Sequence, residues 1–452
     1  MLLLDWMKSF RVYLRKHIQL GIVLLGALLV ALSSGVYTNW DAQLEFEAAS
    51  NVVTRGFPIV TTGLMINQPP LGFYLDAPIF HIFGLTYANG VAVATAFGLA
   101  CVVLVYVLGT LLYDKRTALV AAALFGILPW HVYMSKIFLI DNQNLFLSLL
   151  FLAVGVVAVR RNSSTLLGVA GLMFGLAFLT KLFAVFLLVP LLLMLLLQRK
   201  HVSFKMTPRR VIVFLLPVLA LKAVWFGGVA NQNFFGVYFS SDITHPVLVA
   251  NPSPFFLPTV LVNSAGWFLF AAGLFSLALT VLYRRDLSGV AWLDAVCVGT
   301  VAVVAGLDLL LVFGLHLTVP YVSVFKYNYV ALPFYCFLAA SLATKGRLLL
   351  WSVDWKNKAC RLKSALVSVG VILLLACVLE STFFLTRWVG FVAFGVDSVV
   401  YYPFDVYLVS ANGFSPFLTY LAALLMVLSV AGPFLAGALK GALGWFSKIL
   451  SS

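Results

Sequence analysis

The sequence predicts an all-α polytopic membrane protein of about 12 transmembrane helices, within a range of about 11–13. Hydrophobic residues make up 63% of the 452 residues, charged residues only 10%, and the mean hydropathy is +1.07. A soluble globular chain is about 45–50% apolar and about 25% charged, so it has far less apolar surface to bury. Apolar runs of about 20 residues, the length that crosses a hydrocarbon core, recur along the whole chain.

The predicted spans follow these apolar runs and are separated by short polar turns or by long loops. Their ranges are 18–36, 88–112, 117–133, 144–159, 165–180, 182–198, 211–229, 258–283, 288–314, 329–343, 364–386 and 416–438. Three connections on one predicted side are long, at 37–87, 230–257 and 387–415, and long structured loops are usually functional. We expect one integral domain over 1–452 and no separate soluble domain, with the first long loop in the half 1–210 and the others in 211–452.

The distribution of charge predicts the orientation in the membrane. The chain has 29 Lys and Arg against 15 Asp and Glu, which gives a net charge of +14. With both termini in the cytoplasm, most of these cations fall on the cytoplasmic side, as the positive-inside rule requires. The cations left for the outer side or its edge are Arg55, Lys136, Lys181, Lys222, Lys326 and Arg387. The excess charge therefore reflects topology and contact with anionic lipids, rather than binding to nucleic acid.

The five cysteines are scattered, and most of them fall inside apolar runs: Cys101, Cys297, Cys336, Cys360 and Cys377. Their spacing matches neither a metal-binding motif nor a disulfide framework. We interpret all five as packing residues.

The first long loop opens with an amphipathic segment. From Trp40 to Val53 its apolar residues fit one face of a helix that lies on the membrane surface. Asp41 lies at the N-terminal end of this helix, and Glu45 lies one turn later on the same face. On pattern alone, a carboxylate such as Asp41 is most often an N-cap that accepts hydrogen bonds from free backbone N–H groups. The alternative is a reactive carboxylate, because this helix would lie where a lipid head group reaches the surface.

The same loop continues with a proline pair. Gln68 precedes Pro69 and Pro70, which force an extended turn before an aromatic-rich helix that contains Tyr74. The pair is most simply a structural turn.

Two further outer turns carry charge beside apolar spans. Lys136 lies five residues before Asp141, at the point where a span re-enters the membrane. A lone Asp at a helix start is usually a cap, but a Lys and an Asp on one short loop are a better candidate site. Lys181 is the lone charge at the tip of a tight outer turn, where it would act as a snorkelling anchor or as a site cation.

These segments, in this order, resemble the C-type glycosyltransferases, and within them the branch of dolichyl-phosphate-mannose protein mannosyltransferases and aminoarabinose transferases. That family has an Asp-Glu pair at the start of a first-loop helix and then a Lys/His-Pro-Pro-Leu segment. Further along the chain, the family has an Arg several residues before an Asp, then a Leu-Thr-Lys turn, and then an Arg-Tyr-x-x-x-Pro segment. The corresponding residues are Asp41, Gln68-Pro69-Pro70-Leu71, Lys136 through Asp141, Leu179-Thr180-Lys181, and Asn328-Tyr329 through Pro333. The resemblance covers about the first 200 residues well.

The chain departs from the family pattern at four positions. Ala42 replaces the second acid of the first-loop pair, Gln68 replaces the Lys or His, and Asn328 replaces the Arg. Lys136 stands where the family usually has an Arg, and Lys326 lies two residues before Asn328. These lysines would supply positive charge, but without the bidentate fork of a guanidinium group.

The resemblance implies a membrane glycosyltransferase that moves a sugar from a polyprenyl-phosphate donor to an acceptor hydroxyl on the extracytoplasmic side, with inversion. The acceptor would belong to a protein, a lipid or a glycan. Asp41 would be the general base, with Asp141 and Glu45 as further catalytic carboxylates. The donor phosphate would be bound by Lys136, Lys181, Lys326, Arg55 and Arg387, and the sugar or lipid would contact Trp40, Gln68, Tyr74 and Tyr329. We expect the plasma membrane of a prokaryote rather than the endoplasmic reticulum.

Some members of this family use a divalent metal. Glu45 and Glu47 are two residues apart, so on a helix they point to different faces. His81 and His131 are lone histidines beside apolar runs, a pattern more typical of packing than of metal ligation. We therefore assign no metal site and no certain cofactor.

The main alternative is a transporter or flippase of a lipid-linked or small substrate, and a structural membrane subunit is a weaker third interpretation. Transporters carry ionisable residues within the membrane, and Asp308, Glu380 and Lys222 are the candidates here. Most ionisable residues of interest lie instead in the outer loops, and no pair of broken helices is evident. The sequence therefore favours the enzyme.

The predicted orientation can be tested by cysteine labelling with an impermeant reagent. Cysteines introduced near Lys136 and Tyr401 should react in intact cells, because these positions are predicted to be outside. Cysteines near Arg161 and Lys356 should react only after permeabilisation. The opposite pattern would put the candidate site in the cytoplasm, where nucleotide sugars are the usual donors.

Overall fold

The structure is a computed structural model that describes residues 2–61, 63, 65–66, 68–197, 204–228, 266–309, 328–350, 358–394, 407–410 and 415–432. Side chains are described in these ranges except at 2–17, 40, 226–228, 308–309, 358–360, 387–394 and 407–410. The long connection 230–257 lies outside the described residues, and the predicted span 258–283 lies partly outside them.

Helices dominate the described chain, as predicted. The first are α1 (Leu2–Ser33), α2 (Trp40–Arg55), α3 (Leu71–Phe83), α4 (Tyr87–Leu112), α5 (Lys115–Ile127), α6 (Pro129–Ser135) and α7 (Asp141–Arg160). Then come α8 (Ser164–Thr180), a 3₁₀ helix (Leu182–Leu187), α9 (Leu188–Leu197), α10 (Pro208–Gly228), α11 (Trp267–Leu282), α12 (Ser288–Leu309), α13 (Leu332–Leu350), α14 (Lys358–Phe394) and α15 (Pro416–Gly432). Every predicted span overlaps one of these helices or two consecutive ones, so the predicted order of apolar segments is confirmed.

Short polar residues start several of these helices. Thr86, Asp114 and Ser163 precede α4, α5 and α8, and each side chain accepts a hydrogen bond from a backbone N–H in the first turn. Such caps satisfy donors that have no partner within the helix. The first-loop helix α2 ends at Gly56, whose φ of 81° is left-handed and therefore favours glycine.

Four described helices are long and apolar enough to cross a membrane: Tyr87–Leu112, Asp141–Arg160, Ser288–Leu307 and Arg361–Thr386. A fifth span results if α5 and α6, which meet at an angle of 63°, count as one bent helix. Leu128 and Pro129 lie at this break, where proline removes a helical hydrogen bond. Several other apolar helices have 10–17 residues. The count of about 12 spans therefore stays a prediction.

The core of the bundle lies around α7. Of the most apolar 18-residue stretch of α7, 78% is buried inside the protein, whereas the buried share of the corresponding stretch in Arg361–Thr386 is 28%. Helices α4 and α8 pack against α7, and α5 packs against α4 and α13. A helix that is surrounded on all sides must satisfy every polar side chain through protein contacts. This constraint decides the geometry at the N-terminal end of α7.

A short two-stranded ribbon, which the sequence analysis did not predict, joins two distant connections. Strand β1 (Val36–Thr38) pairs antiparallel with β2 (Tyr407–Ser410). Ser415 N donates to Ser33 O at 3.2 Å, and the Ser33 and Thr419 hydroxyls lie 2.8 Å apart. The first and third long connections therefore meet at one end of the bundle, in agreement with the prediction that they share a side.

The opposite end of the bundle carries ion pairs that involve predicted cytoplasmic cations. Arg347 lies 3.2 Å from Asp114, and Lys363 lies 2.8 Å from Asp286. Four of the five cysteines, Cys101, Cys297, Cys336 and Cys377, are free and buried, as predicted for packing residues, and the Cys360 side chain is outside the described part.

The close contact between α8 and α10 is possible because residue 171 is a glycine, which has no side chain. A Cβ atom at Gly171 would lie only 2.0 Å from Phe214 O. We expect Gly171→Ala to push the two helices apart and to lower the free energy of unfolding by about 1–3 kcal/mol. Thermal unfolding in detergent measures this effect.

Gly306→Ala is the matched control, because a Cβ there would meet nothing within 4 Å. It should leave the protein equally or slightly more stable, since alanine favours the helix by roughly 0.5–1 kcal/mol. Equal melting temperatures for both variants would contradict the proposed close contact.

Candidate active site

The start of α2 is capped by Asn39, not by Asp41. The Asn39 backbone is extended, and its side-chain oxygen accepts a hydrogen bond from Ala42 N at 2.8 Å. The Asn39 side-chain amide also donates to the Tyr133 hydroxyl at 3.4 Å. The interpretation of Asp41 as the N-cap is therefore wrong. Asp41 lies in the first turn and is partly buried, where the helix dipole favours negative charge.

The loop before α7 is fastened to the strand that leads into α2. Tyr37 N donates to Lys136 O at 2.9 Å. The Tyr87 hydroxyl donates to Tyr37 O at 2.8 Å and accepts from Phe138 N at 3.2 Å. These bonds hold Lys136 beside the segment that precedes Asp41, so the structure brings the first loop and the second outer connection together.

The Lys136 side chain is a partly buried cation. Within the described part of the chain, no group accepts a hydrogen bond from its ammonium or pairs with its charge. Burial lowers the pKa of this ammonium below its ordinary value. An ammonium without a counter-charge close to the bundle end is suited to binding an anion.

Glu45 is fully buried, and its carboxylate holds two loops together. One oxygen accepts from Ile140 N at 2.9 Å, and the other accepts from the Gln68 side-chain amide at 3.0 Å. Ile140 is the N-cap residue of α7 and supplies no side-chain cap of its own, so Glu45 caps α7 from another helix. The prediction made Glu45 a catalytic carboxylate, whereas its contacts are those of a structural one.

Lys181 and Asp141 form a buried ion pair. The Lys181 Nζ lies 2.7 Å from Asp141 Oδ2 and 3.9 Å from Glu45 Oε1. Lys181 is 7% exposed and Asp141 is 4% exposed. Lys181 does lie in the predicted turn, between α8 and the 3₁₀ helix. It is not a snorkelling anchor, because two buried carboxylates surround its charge; its binding of the donor phosphate stays a prediction.

The first turn of α7 consists of four buried polar residues, of which the sequence analysis singled out only the first. After Asp141 come Asn142, Gln143 and Asn144. Asn144 Nδ2 donates to Ala177 O and Lys181 O at 2.8 and 3.0 Å. The signal that could have found these residues is the polar run Asp-Asn-Gln-Asn at the start of an otherwise apolar span.

Asn142 anchors a chain of hydrogen bonds to α6 and to the start of α13. Its Nδ2 donates to Ala94 O at 2.9 Å and Met134 O at 3.0 Å, so its Oδ1 must be the acceptor for the Tyr329 hydroxyl. That hydroxyl uses its one proton for Asn142, and it therefore accepts from His131 Nδ1, 2.8 Å away. The network thus assigns a proton to His131 Nδ1.

Tyr329, a predicted contact of sugar or lipid, lies in the interior. It is 1% exposed, and its hydroxyl is occupied by Asn142 and His131. The contact with a substrate stays a prediction.

The remaining predicted residues are spread along the first loop or fall outside the described part. Gln68 donates to Glu45, and Tyr74 is partly buried and donates to Gly56 O at 2.7 Å. Arg55 is exposed in the last turn of α2. Lys326 lies outside the described residues, as do the side chains of Trp40 and Arg387.

The described residues do not fit a metal site. No three His, Cys, Asp or Glu side chains among them come together in a way that could hold an ion. Both oxygens of Glu45 are already occupied by N–H donors, and Glu47 accepts from the Thr61 hydroxyl at 2.5 Å.

Two of the three residues that suggested a transporter have local partners. Glu380 accepts hydrogen bonds from Trp267 N and Phe268 N, both at 3.0 Å, and so caps α11. The Lys222 ammonium lies 3.9 Å from the centroid of the Phe178 ring and donates to Phe178 O. The Asp308 side chain lies outside the described part.

Part of the chain matches the model of a known protein family. Residues 67–225 match the family model described as "Dolichyl-phosphate-mannose-protein mannosyltransferase". This range contains α3 to α9 and most of α10, and hence the polar turn of α7 and Lys181. A comparison with curated protein sequences finds no significant match.

Solved structures of two proteins, among others, share the fold over most of the chain. The archaeal oligosaccharyltransferase AglB from Archaeoglobus fulgidus, in complex with an inhibitory peptide and a dolichol-phosphate, has a TM-score of 0.53 and 14% sequence identity. ArnT from Cupriavidus metallidurans in the apo state has a TM-score of 0.53 and 13% identity, over 94% of this chain and 78% of ArnT. This chain has the C-type glycosyltransferase fold. ArnT bound to undecaprenyl phosphate gives a TM-score of 0.51.

The C-type glycosyltransferase fold and the apolar helices make this chain an integral, multi-pass membrane protein. The match to AglB covers 83% of this chain but only 56% of AglB, so the chain spans little more than half of that protein.

The buried ion pair at the site yields a stability prediction. Lys181→Met leaves Glu45 and Asp141 buried without their cation, and breaking a buried pair in this way destabilises a protein by about 3–5 kcal/mol. Thermal unfolding in detergent should show the loss. Lys363→Met is the control, because its partner Asp286 is 47% exposed and an exposed pair contributes about 0–1 kcal/mol. Similar losses for the two variants would mean that the buried carboxylates find another counter-charge.

Proposed function

We propose that this protein is a membrane glycosyltransferase. It moves a sugar from a polyprenyl-phosphate donor to an acceptor hydroxyl at the bundle end that carries α2, and it inverts the anomeric carbon. The observation that carries the proposal is the placement of Asp41. It lies in the first turn of α2 without serving as the cap, next to the loop that holds Lys136, a cation without a counter-charge among the described residues.

Asp41 is the proposed general base. The acceptor hydroxyl attacks the anomeric carbon and gives its proton to the Asp41 carboxylate, while the bond from that carbon to the phosphate oxygen breaks. The electron pair leaves with the polyprenyl phosphate. Because the hydroxyl attacks from the face opposite the leaving group, the configuration inverts. A positioned base typically contributes 10²–10⁴-fold to the rate.

Lys136 is the proposed cation for the donor phosphate. Negative charge collects on the leaving phosphate in the transition state, and a fixed cation stabilises it. Lys326, Arg387 and Arg55 remain proposed further cations, and Trp40 and Tyr74 remain proposed contacts of sugar or lipid.

Glu45, Lys181 and Asp141 are proposed as positioning residues. Together they tie α2, the α7 turn and the end of α8 to one another. Their displacement would move Asp41 relative to Lys136, and a shift of about 1 Å can lower a rate about 10²-fold.

The similar proteins support a lipid-phosphate donor. The AglB structure contains a dolichol-phosphate, one ArnT structure contains undecaprenyl phosphate, and the matched family model is named for dolichyl-phosphate-mannose. All three compounds are polyprenyl phosphates or their sugar esters. The rival proposal of a transporter is weakened because Glu380 and Lys222 have structural partners.

Substitution of Asp41 separates the proposed base from a structural residue. Asp41→Asn keeps the size of the side chain and leaves the Asn39 cap intact, so the protein should fold and bind the donor. Transfer should fall by a factor on the order of 10²–10⁴. Purified protein with radiolabelled polyprenyl-phosphate sugars, assayed for sugar release and transfer, gives the measurement.

The matched control is Glu47→Gln, an acid-to-amide change on the same helix, which should retain transfer. A second arm tests Lys136→Met, which should weaken donor binding about 10–100-fold, the scale of one charge-assisted hydrogen bond. If Asp41→Asn transfers sugar at the normal rate, or if the wild type moves the intact donor across a bilayer without breaking its phosphate bond, the proposal fails.

A further inference from the structure

Asp76 is a buried acid for which the proposed mechanism has no use. It lies in α3, a helix of 13 residues in the first long connection, which is too short to cross a membrane. Its neighbours in sequence are aromatic or apolar, and the side chain is 0% exposed. A carboxyl group in such surroundings requires a specific partner.

The partner is Gln143, the third residue of the polar α7 turn. Gln143 Nε2 donates to Asp76 Oδ1 at 3.0 Å. Gln143 stands between Asn142 and Asn144, whose own hydrogen bonds fix the backbone of this turn. The contact therefore ties α3 to the part of the protein that carries Asp141.

The remaining carboxyl oxygen of Asp76 and the amide oxygen of Gln143 indicate a missing hydrogen. Asp76 Oδ2 and Gln143 Oε1 are both buried, and neither has a hydrogen-bond partner among the described residues. If Asp76 were ionised, both atoms would be acceptors and neither could satisfy the other. A proton on Asp76 Oδ2 would be donated to Gln143 Oε1 and would satisfy both atoms with one hydrogen bond.

The surrounding charges disfavour an ionised Asp76 as well. Burial is the main cause that raises the pKa of Asp76 well above its ordinary value, the hydrogen bond from Gln143 opposes this rise, and the negative charge of Glu45 adds to it. Lys181 is already shared by Glu45 and Asp141. Tyr87, the first residue of α4, interacts electrostatically with Glu45, and its side chain carries no positive charge.

We infer that Asp76 is a protonated carboxylic acid, joined to the Gln143 amide by two hydrogen bonds, and that this pair positions α3 against the first turn of α7. Asp76 is thus a positioning residue. Its protonation does not depend on the proposed function, whereas its effect on turnover rests on it.

Infrared difference spectroscopy of the full-length protein tests the protonation. The spectrum of the wild type at pH 7 should contain the carbonyl stretch of a protonated carboxyl group, and Asp76→Asn should lack it. Gln143→Leu should shift this band, because the acid loses its hydrogen-bond partner. The control is Asp286→Asn, which removes an exposed carboxylate paired with Lys363 and should leave the band unchanged.

The pH dependence of stability gives an independent measurement. An unfolded Asp loses its proton near pH 3.9, whereas the folded protein retains the proton on Asp76 to higher pH. The folded wild type therefore loses stability relative to the unfolded chain as the pH rises above about 4. An asparagine can form the same pair with Gln143 without titrating. Asp76→Asn should have the higher Tm at neutral pH, and the difference should shrink as the pH falls towards 4.

Turnover tests the positioning role. Asp76→Asn should retain transfer across the pH range, and Asp76→Leu should lower kcat on the order of 10–100-fold with little change in KM. An identical carboxyl band in wild type and Asp76→Asn overturns the protonated state. A normal kcat for Asp76→Leu overturns the positioning role and leaves the glycosyltransferase proposal standing. A wild type without transfer activity would overturn that proposal but not the infrared result.

Discussion

The polar first turn of α7 is the constraint on which the rest of the site depends. Its four side chains lie at the start of the most enclosed membrane helix, where an unpaired polar group costs about 1–3 kcal/mol. Their partners lie on several elements: Asp141 and Asn144 at the end of α8, Asn142 on α4 and α6, and Gln143 on α3. Because no single neighbour satisfies the turn, all of them must dock together.

The charged residues near this turn fall into an interior group and a group at its edge. Lys181 pairs with both Glu45 and Asp141 in the interior, which fixes their relative positions. Asp41 and Lys136 lie at the edge of this cluster and are only partly buried. For the proposed function, a rigid interior cluster beside two partly buried groups of opposite charge suits a site that must hold an anion and accept a proton.

Hydropathy and local motifs were sufficient to predict much of the fold from the sequence. The order of apolar helices, the extent of α2 and the turn at Lys181 all follow from features within one short stretch of sequence. The partners of the buried charges do not follow from local sequence, because Lys181 contacts carboxylates that lie 40 and 136 positions earlier in the chain. Asp76 was missed because a single acid in an aromatic segment has no local pattern. The capping role given to Asp41 failed because Asn39, two residues earlier, is an equally good cap and begins the helix.

The ribbon between β1 and β2 has a consequence for biogenesis. The hydroxyl contact between Ser33 and Thr419 joins residues 386 positions apart, and the strand leading into α2 cannot pair before β2 (Tyr407–Ser410) has been translated. At typical rates of about 5–20 residues per second, the first helix waits roughly 20–80 s in the bilayer for α15. During that interval the nascent protein has a membrane anchor, but the segment that leads into α2 lacks its strand partner.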